Sequence, residues 1–251
     1  MKRLQNIAVY LVLFGLAGVS SLRSDEPAKI QGYATVRTVK GKATYTSPDG
    51  ITKRLKTNIE LEPGTRIDMG ADSFAYLNVN GLTSAVRLDA KTTLILNQME
   101  RIGTAREGAT ETKLNLRVGS MVGQVKKVSG DSRYEIETPD GVAGVRGTDF
   151  AIEVAPVPKK KFAATFICMT GQLIAAAIVD NALQTKTINA GESWTPGAGS
   201  PQSVPPERLK KYTHWENAPG LRPNAGPPDI SILPVFPNGA PPLGPSGPPR
   251  K

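Results

Sequence analysis

The chain has 251 residues, with 31 Lys and Arg against 22 Asp and Glu, a net charge of +9, and a single Cys and a single His. One cysteine excludes an intrachain disulfide, and one cysteine with one histidine cannot supply the usual ligand cluster of a zinc site. The basic balance favours anionic partners reached by long-range steering, and an aromatic content of 6% leaves few rings for a stacking platform.

Residues 1–21 read as a secretory signal peptide: Met1-Lys2-Arg3 is the positive start, Ile7 to Val19 is uncharged and mainly apolar, and Gly18, Ser20 and Ser21 are small. The apolar run is short for a bilayer core of about 30 Å, so cleavage is expected, with no stable membrane span afterwards. No cysteine follows it, which excludes a lipoprotein anchor. Export to the periplasm or outside the cell follows, and nucleic acid is then a poor partner.

Residues 30–196 form the expected folded domain, long enough for one substantial core. A period of two runs through nearly all of it: Tyr33–Thr38, Ala43–Thr46, Ser73–Val79, Ala85–Leu88, Thr93–Asn97, Thr112–Arg117, Met121–Val128, Tyr134–Thr138, Phe150–Val154 and Phe162–Met169. Pro48-Asp49-Gly50, Glu62-Pro63-Gly64, Asn80-Gly81 and Pro139-Asp140-Gly141 supply turns between them. Many short strands at this spacing predict an all-β sandwich, jelly roll or rolled β-helix. Cys168 shares a face with Phe166 and Ala164, which predicts a small buried core residue and not a reactive thiol. A thiol nucleophile would also need a histidine, and His214 lies in the tail.

Tyr134 to Val154 carries the most specific pattern: two alternating strands around a glycine-punctuated turn, with Thr138-Pro139 followed by Arg146-Gly147-Thr148-Asp149-Phe150. This stretch resembles the closing half of the FecR domain, a bacterial extracytoplasmic β module. Ile59 to Leu77, Val86 to Leu94 and Leu114 to Val122 resemble its earlier strands in the same order. The resemblance implies a FecR-like rolled β-sandwich or double-stranded β-helix, with Gly64, Ser73, Gly119, Thr138, Pro139, Gly147 and Thr148 as fold-defining turn positions.

Family members that regulate metal uptake join a cytoplasmic sigma-factor-binding segment, one membrane span and this β domain. Three residues before the uncharged stretch that begins at Leu4 leave no room for the first part, so the resemblance implies a stand-alone exported binding module and not an anti-sigma factor. Its expected partner is an envelope protein or an anionic cell-wall polymer, in envelope signalling or scaffolding. A carbohydrate-binding module is the alternative. Lys159, Lys160 and Lys161 are the densest cationic cluster and, with Arg146, the candidate anion or partner contacts. Catalytic, metal and cofactor residues are not expected. Glu135 and Glu137 read as solvated pleat positions, Asp72 and Asp89 form no evident pair, and no Walker loop, dinucleotide fingerprint or nucleophile elbow occurs.

Residues 197–251 hold fourteen of the 21 prolines and seven of the 25 glycines, a composition that predicts a disordered proline-rich tail. Two islands interrupt it. Pro206–Asn217 has helical spacing of Leu209, Tyr212 and Trp215. Asp229–Phe236 contains the apolar run Ile230-Ser231-Ile232-Leu233-Pro234-Val235-Phe236, suited to a partner or a sheet edge.

Overall fold

A computed structural model describes residues 29–81, 84–102, 109–127, 131–158 and 160–213. The expected leader, His214, Trp215 and the Asp229–Phe236 island lie outside the described residues. In chain order the strands are β1 Lys29–Gln31, β2 Ala34–Lys40, β3 Ala43–Thr46, β4 Thr52–Arg54, β5 Glu60–Leu61, β6 Arg66–Met69, β7 Phe74–Val79, β8 Ser84–Leu88 and β9 Thr93–Ile102. They continue as β10 Ala109–Val125, β11 Arg133–Thr138, β12 Gly141–Val145, β13 Thr148–Val157, β14 Lys160–Thr170, β15 Gln172–Val179, β16 Ala182–Asn189, β17 Glu192–Trp194 and β18 Gln202–Ser203, followed by helix α1 Pro206–Thr213. The fold is all-β, as the alternation predicts.

The strands form two ladders that share β10. Sheet A runs β4-β3-β6-β9-β10-β11-β12-β15-β16, with β1 also on β9. Sheet B runs β5-β2-β7-β8-β10-β13-β14-β17-β18. Every pairing is antiparallel except β10 with β11. The inner faces of both sheets enclose one core, containing Leu77, Leu94, Leu116, Ile136, Phe150, Ile152, Phe166 and Trp194. Phe166 stacks on Trp194 with ring centroids 6.2 Å apart. This is a rolled β-sandwich.

β10 makes the roll. Residues up to Val118 pair with β9 in sheet A, and those from Gly119 onward pair with β13 and β8 in sheet B. Gly119 has φ +100°, and a Cβ there would overlap the backbone and side chain of Thr92. Thr92 Oγ1 fastens the bend, accepting from Ser120 N (3.0 Å) and lying 3.1 Å from Ser120 O. The two strands expected at Thr112–Arg117 and Met121–Val128 are therefore one bent strand. Glycine at the bend removes the side chain that would otherwise mark continuity.

The structure corrects the sequence reading at three more places. The turn expected between Thr138 and Thr148 contains β12, paired with both β11 and β15. Gly141 and Gly144 hid it, and a Cβ at Gly141 would meet Ala176 O at 2.9 Å, so close sheet packing selects glycine there. The hairpin β15–β16 escaped notice because Ala-rich Gln172–Val179 alternates weakly. Its turn, Asp180-Asn181, has φ +52° and +63°, values that suit a tight hairpin. Finally, ordered structure continues past Pro196: β18 pairs with β17, and α1 packs on sheet B. The helix expected over Pro206–Asn217 starts at Pro206, a position where proline is tolerated, and belongs to the folded part and not to the tail.

Candidate interaction surfaces

Period-two alternation gives each sheet an outer face, and the two faces end differently. On sheet B, Val122, Ala151 and Ile167 are cross-strand neighbours on β10, β13 and β14. They form a second buried cluster with Val204 and Tyr212, flanked by Leu209. Two residues along β13, Glu153 receives three donors from α1: Tyr212 Oη at 2.7 Å, Lys211 Nζ at 2.8 Å and Arg208 Nη2 at 2.9 Å. Burial opposes ionisation of this carboxyl, but the bonds from Lys211, Tyr212 and Arg208 together hold it below the usual carboxylate value. The expected helix with Leu209 and Tyr212 on one side is thus a cover for sheet B.

On sheet A the outer face divides. Over β9, β10 and β11 it is polar: Glu137 Oε2 accepts from Asn97 Nδ2 and Asn115 Nδ2, both at 3.0 Å, and Lys113 lies 3.9 Å from both Glu111 and Glu135. These contacts occupy Glu135 and Glu137 structurally. Over β15 and β16 it carries exposed apolar side chains that no other element among the described residues covers. Ile178 and Leu183 are direct cross-strand partners, 76% and 72% exposed, and Ile174 on the same face is 50% exposed. Among the described residues no strand pairs with the far side of β16, and β16 has eight residues where the other sheet ends, β4, β5 and β18, have three, two and two.

The candidate contact residues do not gather in one place. Arg146 is exposed in the turn before β13, and Lys160 lies at the start of β14, across the hairpin from Val157. Ten-residue β13 separates them, about 30 Å at the usual strand rise. Lys159 lies outside the described residues. Instead, Arg146 sits near two exposed lysines: a Cβ at Gly147 would be 3.2 Å from Lys127 Cβ, and Lys126 precedes Lys127. Sequence distance hid this cationic group, and the Val125–Thr148 register brings it together.

The turn positions themselves are structural. Gly64 (φ +86°) donates its N–H to Leu96 O at 2.6 Å, and Ser73 Oγ donates to Gly70 O at 2.6 Å. Thr138 Oγ1 donates to Gly141 O at 2.8 Å across the Pro139-Asp140 turn. Gly147 has φ +60°, and Thr148 Oγ1 shares its proton between Gln172 O (2.8 Å) and Arg146 O (3.0 Å). That arrangement spends the turn on holding β13 to the start of β15.

Among the described residues, several side chains named above are held in structural roles. Cys168 is buried against the core, and burial pushes its thiol up to about 11, so it stays protonated at neutral pH. Asp72 is an exposed turn residue and Asp89 accepts from Arg87 Nε at 2.6 Å, so neither joins a carboxylate pair. Among the described residues no group of three His, Cys, Asp or Glu could hold a metal. Trp194 is 1% exposed, and Tyr33 is the single aromatic among the exposed large apolar side chains of the described residues, which leaves the carbohydrate-binding alternative without a ring platform there.

Comparison with known proteins follows the same geometry. Residues 80–172, from the residues before β8 to the first residue of β15, match the family described as FecR protein. This segment is similar to the FecR family. It contains the bent strand β10, the Thr138-Pro139 turn and the Gly147-Thr148 turn, while the resemblant stretch Ile59–Leu77 falls before the matched residues. No curated protein matches the chain. Among solved structures, a provisionally assigned anti-sigma factor from Parabacteroides distasonis ATCC 8503 aligns at 10% identity and TM-score 0.41 over 58% of this chain and 62% of that one. The chain thus spans less than two thirds of that protein, and the FecR assignment rests on the family match alone. No helix among the described residues is long and apolar enough to cross a membrane.

Proposed function

We propose that this chain is an exported, non-enzymatic binding module of the bacterial envelope that engages a protein partner through the β15–β16 side of sheet A. The observation that carries this is the pairing of a long free edge with an uncovered apolar face, Ile174, Ile178 and Leu183. An edge strand offers unpaired N–H and C=O groups that a partner strand can meet, and the neighbouring apolar side chains add the burial that makes the contact specific. The FecR domain match supports a regulatory role in the envelope, and the basic charge supports a partner with an acidic surface or an anionic polymer nearby. Arg146 with Lys126 and Lys127, and separately Lys159, Lys160 and Lys161, are the proposed anionic contacts.

The test is capture from envelope extract on the immobilised chain, compared with an Ile178→Lys, Leu183→Glu variant. Opposite charges at these paired positions preserve the hairpin while removing its apolar surface. Loss of one defined protein from the variant, with an unchanged far-UV spectrum, supports the reading. A captured set that is the same on both proteins overturns it.

A further inference from the structure

The free edge of β16 is complementary to a second copy of itself. Val179 and Ala182 flank the two-residue turn Asp180-Asn181, so they exchange both backbone bonds. Alternation along the unbroken register then turns the backbone groups of Ala182, Gln184, Lys186 and Ile188 toward β15, and those of Leu183, Thr185 and Thr187 toward the free edge. Gln184 and Lys186 are half-buried and lie opposite Ala177 and Ala175, on the core side of sheet A. Lys186 makes no ion pair among the described residues. An inward-pointing charge on an edge strand opposes pairing unless the incoming strand offers it an acceptor.

An antiparallel pair of β16 strands centred on Thr185 supplies that acceptor. Thr185 then faces its own copy, Leu183 faces Thr187 of the second copy, and Lys186 faces the side-chain amide of Gln184 of the second copy. All three edge-facing residues bond across the axis, giving about six backbone hydrogen bonds. Leu183, 72% exposed, becomes flanked by Ile178 on one side and by Thr187 of the second copy on the other. Moving the axis by one residue sets Lys186 against itself or against Ala182, so the lysine selects the register. We propose that two copies of this chain pair through β16 in this register, joining their A sheets across a two-fold axis. The inference rests on β16 being the binding edge and names a second copy as its partner. A single strand-to-strand contact lies at the small end of specific interfaces, below about 1,200 Å², so the dimer is weak and reversible.

Sedimentation equilibrium over a concentration series tests this. The unaltered chain should dimerise, with exchange of the Leu183, Thr185 and Thr187 amides slowing as the dimer fills. Gln184→Lys sets two like-charge pairs across the axis and should weaken the dimer about fivefold, the combined effect of two unfavourable cross-strand pairs. Adding Lys186→Glu to that variant makes both pairs opposite in charge and should restore the dimer. Added salt should tighten the contact, since both copies are basic, whereas it would release an acidic strand bound opposite Lys186. A monomer at every concentration, a dimer that Gln184→Lys leaves unchanged, or a double variant as weak as the single one overturns the proposal. The binding-edge reading fails differently, through unchanged capture by the Ile178→Lys, Leu183→Glu variant. A monomeric chain whose captured protein is still lost in that variant keeps the edge and gives it a different partner.

Discussion

Sheet B and sheet A come from the same alternation, yet one outer face is closed by the chain's own helix and the other, among the described residues, is left bare over β15 and β16. On sheet B, the apolar row Val122-Ala151-Ile167 meets Val204 and Tyr212, and Glu153 gathers three donors around the dock. On sheet A, Ile178 and Leu183 project from a hairpin with nothing described above them. The contrast teaches that exposure of apolar residues here is not an inevitable result of a thin β fold, since the same chain covers one such row by docking a short helix.

The largest break in this comparison is at the strand that belongs to both sheets. Gly119→Ala puts a side chain into Thr92 at a positive-φ position, with an expected loss on the order of 3 kcal/mol from backbone strain and overpacking. Denaturant titration should show one cooperative transition at lower midpoint, because both sheets depend on β10. Two separated transitions would show instead that the sheets fold independently.

Next in size is the dock itself. Tyr212→Ala removes a fully buried ring and is expected to cost about 3 kcal/mol, whereas Tyr212→Phe removes only the hydroxyl bond to Glu153 and should cost about 1.5 kcal/mol. If the Phe variant were as damaging as the Ala variant, the hydrogen-bond cluster and not the apolar row would hold the helix. The Ile178→Lys, Leu183→Glu variant sharpens the contrast, since it should change stability by no more than about 0.5 kcal/mol despite altering two large apolar residues.

The dock should also weaken in acid. Glu153 titrates below the ordinary 4.5 in the folded chain because Lys211, Tyr212 and Arg208 bond its charged form against the opposing effect of burial. A depressed folded pKa stabilises the fold fully above the unfolded value, and that contribution is lost as pH falls through the folded value. Lys211, raised by its bond to Glu153, contributes from the other side, present at neutral pH and lost as pH rises through its folded pKa. Thermal midpoints from pH 7 down to pH 3 should therefore fall, and Glu153→Gln should flatten the part of that fall due to helix docking. An identical slope in the variant would assign the acid sensitivity to other carboxylates.

Legibility in the sequence followed side-chain contrast. Strands such as β2, β3, β8 and β11 alternate large apolar with polar residues and were readable at nearly their full extent. β12, β15 and the bend in β10 were not, because Gly141, Gly144, Gly119 and the alanines of β15 are small where backbones approach closely, and small residues carry little period. The helix was visible through Leu209 and Tyr212, but its receptor was not: Glu153 looks like any solvated pleat residue until the fold brings position 212 beside it. The same limit applies to Arg146, whose neighbours Lys126 and Lys127 are set by the β10–β13 register.

The smallest expected effect concerns the group around Arg146 and the start of β14 at Lys160, which lie at opposite ends of β13. A separation of about 30 Å far exceeds the screening length of about 8 Å at physiological salt, so the two groups should act independently. Replacing Lys159, Lys160 and Lys161 with glutamine should lower retention on an anionic cell-wall polymer at low salt, with little change in stability. Arg146→Gln should lower it further by an additive increment, because distant sites without shared partners do not couple. A combined loss larger than the sum of the separate losses would require one ligand to span both ends of the strand, which fits a long polymer and not a compact anion. Unchanged retention in the lysine variant would remove the hairpin tip from the binding surface and leave the anionic contact to the group around Arg146.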